Sequence, residues 1–198
     1  MPRKARAGLR DDLIVTAENI VREQGFVALT ARTLANEAKC AIGSIYNVFG
    51  DLDDLIIEIN MRTMARLVSD LGGVRKAGTA PEDQLMALAF GYIRFIMSEQ
   101  NLWSALMQHH PTDGRELPAQ YLSEMDGLFA EIEASIAPLF KEHDHEEHMR
   151  AARILWSNLH GLCSLAISDK LDLVAGDNVE TLAEDMIFTY LAGIKATR

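Results

Sequence analysis

Residues 30–49 read TARTLANEAKCAIGSIYNVF, in which apolar spacings typical of helices are interrupted once by a turn. Thr30 is a favourable N-cap for a first short helix, and a second is predicted over about 42–48 after a break near Cys40. The residues predicted to form their shared core are Leu34, Ala35, Ala38, Ile45 and Phe49. Because two of these are small alanines, the helices can approach closely. The stretch therefore predicts a helix-turn-helix.

The second short helix directs polar side chains outward, as a helix that enters the major groove of DNA must. Asn47 is suited to reading adenine and Ser44 to donating to a base or phosphate, while Tyr46 is suited to holding a phosphate. The residues predicted to bind DNA are Thr30, Arg32, Thr33, Lys39, Ile42, Ser44, Tyr46 and Asn47. The solvated face of an ordinary helical hairpin would carry similar residues, so the surrounding sequence must decide between the two interpretations.

The sequence from Leu13 to Leu55 resembles the DNA-binding domain of the tetracycline-repressor (TetR) family. The matching pieces are Gly25-Phe26, Leu29-Thr30, Leu34-Ala35, Ala38 and the run from Gly43 to Phe49, followed by Leu55. The resemblance implies a homodimer whose paired N-terminal domains bind a palindromic operator. It also implies that the C-terminal domains bind a small-molecule effector.

Two stretches depart from the family pattern. Lys39-Cys40-Ala41 stands where the family usually has Gly-Val-Ser. Ala41 therefore lacks a capping hydroxyl, worth about 1 kcal/mol, and Lys39 must adopt a turn geometry that glycine usually supplies. Residues 51–54 read DLDD, where the family usually places a lysine near a phosphate. These acids suit the helix dipole but repel DNA, and we expect Arg32, Lys39 and the basic arm, Arg3, Lys4, Arg6 and Arg10, to compensate.

Helical patterns continue to the end of the chain without strand-like alternation. The further helices are predicted at about 52–71, 81–99, 102–109, 119–141 with a bend at Pro138, 146–168 and 178–196. The fold class is therefore all-α, with about nine helices. A three-helix DNA-binding helix-turn-helix domain is predicted at residues 1–52, and a larger ligand-binding and dimerisation domain at 53–198.

Residues 156–168 read WSNLHGLCSLAIS and carry a ladder of small residues at helical spacing. Such a ladder allows another helix to approach closely, and the Trp-x-x-x-His-Gly string resembles a C-terminal subtype within the TetR family. In that family the last two helices form the dimer interface. The residues so assigned are Ser157, Gly161, Ser164, Ser168, Leu182, Met186, Tyr190 and Gly193. His160 is interpreted as a buried, hydrogen-bonded histidine beside Trp156 in preference to a ligand or metal contact.

Apolar and aromatic residues cluster between about 86 and 129, where the resemblance places the effector cavity. The residues predicted to bind the ligand are Tyr92, Phe95, Ile96, Trp103, Met107, His110, Met125 and Phe129. Aromatic and Met side chains at helical spacing are also typical of plain core, so both interpretations stay open for each residue.

Charge is distributed unevenly along the chain. The net charge is −10, of which residues 1–50 contribute +2 and residues 51–198 contribute −12. The N-terminal part is thus mildly basic, and the acidic body orients that end toward a polyanion. No apolar run approaches the ~18 residues of a membrane span, and no apolar segment follows the charged N-terminus as in a signal peptide. A cytoplasmic location without membrane association is expected.

The remaining chemistry-bearing residues point to no catalytic or metal centre. Cys40 and Cys163 match no metal or redox spacing and are expected to be reduced. His143, His145 and His148 resemble a metal cluster, but a solvated charged turn is favoured, so no metal is predicted. No phosphate loop, nucleophile elbow or acid/base pair is found. We therefore expect neither enzymatic activity nor a cofactor.

The function that fits these observations is a ligand-responsive, DNA-binding transcriptional regulator. As in the family it resembles, we expect a homodimeric repressor that a small apolar molecule releases from a palindromic double-stranded operator. The alternative is a family member that has lost DNA binding and acts as a ligand or protein interaction module, which the acids at 51–54 would favour.

Overall fold

The computed structural model describes residues 8–74, 79–111, 116–140 and 145–196, and over these ranges the chain is helical with no strand. The helices are α1 (Leu9–Gln24), α2 (Ala31–Glu37), α3 (Ile42–Val48), α4 (Leu52–Gly72), α5 (Pro81–Ser98), α6 (Gln100–Gln108), α7 (Ala119–Ile136), α8 (His145–Ile167), α9 (Leu171–Val174) and α10 (Val179–Ala196). The predicted all-α class is confirmed. Within the described residues, no helix is both long and apolar enough to cross a bilayer.

Helix ends in the N-terminal part lie where local chemistry predicts them. Gly25 adopts φ 83° and its N–H bonds to the carbonyl of Val21, ending α1. The Thr30 hydroxyl accepts from the N–H of Thr33 at 3.1 Å and begins α2. Asp51 Oδ1 accepts from the N–H of Asp54 at 2.9 Å and begins α4. Each of these bonds satisfies a backbone group that the helix itself leaves unpaired.

Helix α3 begins without a side-chain cap, because Ala41 has no hydroxyl to offer the first turn. We expect Ala41→Ser to raise the free energy of unfolding by about 1 kcal/mol and the melting temperature by about 2–4 °C. Thermal unfolding followed by circular dichroism measures both. Ala65→Ser, at an exposed position inside α4, is the matched control and should destabilise slightly, since serine forms helix less well than alanine. Equal shifts for the two variants would contradict the capping argument.

One predicted boundary in the C-terminal part needs correction, and one short helix there was not predicted. The helix predicted to run to residue 141 with a bend at Pro138 ends instead at Ile136, and Ala137–Leu139 form a 3₁₀ turn. Pro138 has no N–H to continue the helical ladder, so it terminates the helix. At the last helix, Asn178 provides the cap, accepting from the N–H of Thr181 at 2.8 Å. The four-residue α9 was not predicted.

The chain forms two compact units, and the first comprises residues 1–65 and 99–122. Its core contains apolar residues from α1, α2, α3, α4 and α6, including Leu13, Ile20, Leu34, Ile45, Phe49, Leu55 and Leu102. The predicted core of the helix-turn-helix lies within it, with Ala38 partly buried at its edge. The two short helices are therefore held rigidly on a larger helical base.

Helix α6 is tied to α1 within this unit by polar contacts as well as by packing. The Asn101 side-chain amide donates to the carbonyl of Arg22 at 2.9 Å. The Arg22 guanidinium in turn lies 3.1 Å from Glu99 and 2.8 Å from Glu18. The first unit thus includes residues 99–122, and its boundary with the second unit falls within α4, after Ala65. The predicted functional boundary falls after residue 52. The functional assignment of 1–52 and 53–198 stays a prediction.

The second unit comprises residues 66–98 and 123–198. Helices α5, α8 and α10 contact one another, and their buried positions include Leu88, Ile93, Ala152, Leu155, Ala183 and Ile187. The end of α4 approaches α5 closely: a Cβ at Gly91 would lie 2.8 Å from Cδ2 of Leu71. This unit contains the cavity described below.

Candidate DNA-binding and ligand-binding sites

Helix α3 is the exposed half of the helix-turn-helix. Ile45 is fully buried and anchors the helix, whereas Ile42, Tyr46 and Asn47 are exposed and Ser44 is half-buried. The seven-residue helix thus presents one polar, accessible face on a fixed base. This is the arrangement that a major-groove reader needs.

Residues at the start of α2 combine structural and accessible groups. The hydroxyls of Thr30 and Thr33 lie 2.9 Å apart, so the Thr30 hydroxyl already serves the helix cap. Arg32 is exposed beside them. We infer that Arg32, more than Thr30, carries the phosphate contact predicted for this end of the motif, because its charge attracts the DNA backbone.

Lys39 lies in the turn between α2 and α3 with φ 52°. This left-handed geometry is the one expected at a position where the family usually has glycine. A lysine in this left-handed region is strained. We expect Lys39→Gly to raise the free energy of unfolding by about 0.5–1 kcal/mol while weakening DNA binding. Loss of one phosphate contact per protomer should reduce the slope of log affinity against log salt by about 2 for a dimer.

Chemical denaturation and DNA titration at several salt concentrations measure the two effects separately. Lys39→Asn is the control, because asparagine tolerates the left-handed region without carrying a charge. It should reproduce the lost affinity with a smaller gain in stability. If both variants bind DNA as the wild type does, Lys39 contacts no phosphate.

The acidic start of α4 is engaged within the chain. Asp51 caps the helix, and Asp53 Oδ1 lies 3.2 Å from Nε2 of His109, with only 16% of the Asp53 side chain exposed. Arg10 pairs with Glu58 at 2.9 Å and lies over the ring of Phe49. The rest of the basic arm, Arg3, Lys4 and Arg6, lies outside the described residues. Asp51 and Asp53 are thus engaged within the chain, and Arg10, expected to offset the aspartates, is paired with Glu58 instead.

The second unit contains a cavity of about 30 Å³ lined by residues of α4, α5, α7, α8 and α10. Its walls are mainly apolar and include Leu88, Leu128, Ile132, Leu155, Leu159 and Ile187. Polar atoms come from three side chains: Tyr92, Glu131 and Trp156. One oxygen of Glu131, Oε2, is buried and accepts no hydrogen bond from the described residues.

A hydrogen-bonded chain leads from the cavity to the surface of α8. The Tyr92 hydroxyl lies 3.1 Å from Nδ1 of His160, whose Nε2 lies 3.3 Å from the Ser164 hydroxyl. The indole of Trp156 stacks on the His160 ring at 5.0 Å. Burial lowers the pKa of His160, favouring the neutral ring. This is the arrangement expected of a hydrogen-bonded structural histidine.

Burial also sets the ionisation of two neighbours. It raises the pKa of Tyr92 well above its ordinary value, and the nearby Trp156 side chain partly opposes this rise. The Trp156 indole nitrogen itself is buried without a partner in full hydrogen-bond geometry among the described residues. The Cys163 thiol is buried, and desolvation raises its pKa to about 12. Cys40 and Cys163 are both free thiols.

Of the eight predicted ligand residues, five belong to the second unit and three to the first. Tyr92 lines the cavity, and the Phe129 ring packs edge-on against Trp156 at 5.7 Å. Phe95 and Ile96 are buried on α5 and Met125 lies on α7, none of them among the lining residues. Three others belong to the first unit: Trp103, Met107 and His110.

Glu131 was not among the predicted ligand-binding residues, although the sequence carries a signal for it. The residue lies between Leu128 and Ile132 on the apolar stripe of α7, where an acid is unexpected. Met186, predicted for the dimer interface, lines the cavity.

The predicted interface residues of α8 form one exposed face. Ser157, Gly161, Ser164 and Ser168 are all exposed. A Cβ at Gly161 or Gly193 would meet nothing within 4 Å, so no helix in the described part of this chain uses the close approach that these glycines permit. Phe188 on α10 is 74% exposed. Leu182 and Tyr190, also on α10, are half-buried.

No group of three or more metal-ligating side chains occurs in the described residues. His145 lies 3.7 Å from Glu133, and the His148 ring packs edge-on against Phe140 at 4.6 Å. His143 lies outside the described residues.

Comparison with known proteins finds one family model and several solved structures that resemble this chain. Residues 85–190 match the family model described as "Tetracyclin repressor-like, C-terminal domain". The chain is similar to a protein with unknown function from Rhodococcus sp. RHA1, with TM-score 0.76, 21% identity and 98% of both chains covered. It is also similar to PfmR, a TetR family transcriptional regulator from Thermus thermophilus, with TM-score 0.66 and 16% identity over 91% of this chain and 97% of that chain.

A TetR-like transcriptional regulator from Rhodococcus sp. RHA1 gives TM-score 0.67 and 18% identity over 96% of this chain and 100% of that chain. At these identities the similarity to solved structures shows the fold. No curated protein matches the sequence.

Proposed function

The chain belongs to the tetracycline-repressor-like family, and from this premise we propose that it is a ligand-responsive DNA-binding transcriptional regulator. The observation that carries the proposal is the accessible polar face of α3 on a rigid helical base. Asn47 and Ser44 would contact base edges, while Arg32, Lys39 and Tyr46 would contact phosphates. Phosphate contacts fix the register, and base contacts select the sequence.

A homodimer is part of the proposal, because one seven-residue helix reads too few bases to select an operator. The exposed small residues of α8 and the exposed Phe188 of α10 support a packed interface of two α8–α10 pairs. A two-fold symmetric interface of this kind would place the two α3 helices on a palindromic site. Cytoplasmic action on DNA is the corresponding location.

The ligand would act through the cavity of the second unit. Its free volume of about 30 Å³ is far below the roughly 300 Å³ of ordinary ligand pockets. A ligand would therefore have to move the surrounding helices apart. Because the ligand would bind this expanded form more tightly, it would increase the population of that form. We propose that this form binds the operator less well, so that the ligand relieves repression.

The test is a titration of the purified protein with duplex from the region upstream of its own gene, at two salt concentrations. We expect tight binding that weakens as salt rises, with a clear margin over random duplex. Weak and equal binding to both duplexes, unchanged by salt, would overturn the proposal. It would favour instead a family member that acts as an interaction module.

A further inference from the structure

We propose that the cavity takes a small apolar molecule bearing an ammonium or similar cationic N–H donor, with Glu131 as its counter-ion. The inference rests on the proposed function in one respect, namely that this cavity is the effector site. It adds the chemical class of the effector and the residue that recognises it.

The main evidence is one carboxylate oxygen of Glu131, a half-buried residue. Glu131 Oε2 is buried, lines the cavity and accepts no hydrogen bond from the described residues. Removing a carboxylate oxygen from water without a partner is costly. Buried polar atoms of native proteins therefore nearly always have a partner, and an exception needs an explanation. A ligand N–H that enters the cavity and donates to this oxygen provides one.

The surroundings of Glu131 favour a cation over a neutral donor. No lysine or arginine is found among the described residues that line the cavity, so the carboxylate has no internal counter-ion there. Tyr92 and Trp156 contribute aromatic walls, which attract cations. The second unit carries ten Lys and Arg against 17 Asp and Glu, a net charge of −7, and its field concentrates cations near the unit.

The size of the cavity limits the apolar part of the ligand. A free volume of about 30 Å³ holds about two water molecules. An aliphatic chain would therefore enter by displacing side chains, and Met186 in the wall is unbranched and adapts readily. A primary amine on a short alkyl chain meets these limits.

The experiment compares three six-carbon probes with different head groups: hexylamine, 1-hexanol and hexanoate. Isothermal titration of the full-length protein near neutral pH measures each affinity. We expect hexylammonium to bind about tenfold or more tightly than hexanol, because its charged ammonium forms an ion pair with the carboxylate whereas the hydroxyl is a neutral donor, and hexanoate to bind most weakly.

Two variants assign the preference to one carboxylate. Glu131→Gln keeps the shape and removes the charge, and should bring the affinities for hexylammonium and hexanol to about the same value. Glu133→Gln is the matched control on α7, since Glu133 faces His145 and not the cavity. It should leave the tenfold preference intact. Because the Glu131→Gln variant should retain hexanol binding, misfolding can be distinguished from loss of charge.

Four outcomes would overturn the inference: no binding of any probe, equal affinity for amine and alcohol, tighter binding of hexanoate, or an unchanged preference in Glu131→Gln. The same probes added to the protein–DNA complex separate this inference from the proposed function. Release of DNA by hexanol without an amine preference would support ligand control and overturn the role of Glu131. Glu131-dependent amine binding without any effect on DNA would support the role of Glu131 and overturn ligand control of DNA binding through this cavity.

Discussion

Phe188→Glu should dissociate the dimer and abolish operator binding. Phe188 is 74% exposed on α10, one of the two helices that we assign to the interface. Burying an unpaired charge in an interface costs about 2–5 kcal/mol, and a two-fold axis introduces the substitution twice. The dimer dissociation constant should therefore rise by at least about 1000-fold. Sedimentation velocity at micromolar concentration measures the change directly.

Leu173→Glu is the matched control. Leu173 is 83% exposed on α9 and lies outside the predicted interface. This variant should remain dimeric and bind the operator as the wild type does. Because both positions are solvent-exposed within the chain, both variants should keep the helical circular-dichroism spectrum. A dimeric Phe188→Glu protein would show that the interface lies elsewhere.

Asn47→Ala should remove most of the sequence preference while leaving background DNA binding in place. A bidentate contact to adenine contributes about 1–3 kcal/mol of discrimination, and a dimer makes it twice. The affinity for the operator should fall by at least about 30-fold, whereas the affinity for random duplex should change little. Fluorescence anisotropy with the two duplexes at one salt concentration gives both values.

Asn36→Ala is the corresponding control, since Asn36 is exposed on α2 and is not one of the predicted DNA-binding residues. Its substitution should alter neither affinity. An equal loss on operator and random duplex in the Asn47→Ala variant would mean that Asn47 contacts phosphate and carries no sequence information. An unchanged operator affinity would remove Asn47 from the interface.

Features set by local chemistry were predictable from the sequence. Gly25, Thr30 and Asp51 end or begin helices through their own backbone or side-chain groups, so each boundary could be read without knowing the fold. The left-handed turn at Lys39 was predicted from the resemblance to the family, which usually has glycine at this position. Pro138 was seen as an interruption, but whether a proline bends or ends a helix depends on packing on either side of it.

Features set by long-range packing were not predictable in the same way. Trp103 and Met107 carry an apolar periodicity that is satisfied equally by a pocket wall and by a core, and the contact of α6 with α1 assigns them to the first unit. The cavity itself depends on five helices distant in sequence. Only Glu131 could have been identified from the sequence, because it is a charged residue on the apolar stripe of α7.

The contrast between the two thiols makes the protein suitable for site-specific spectroscopy. Cys163 is buried with a pKa of about 12, so almost none of it is the thiolate that reacts with maleimides. Cys40 is partly accessible in the turn of the helix-turn-helix. A single fluorophore per protomer would therefore be attached next to the DNA-reading helix without any engineered cysteine. In a dimer, energy transfer between two such labels would report how the distance between the two α3 helices changes as effector is added.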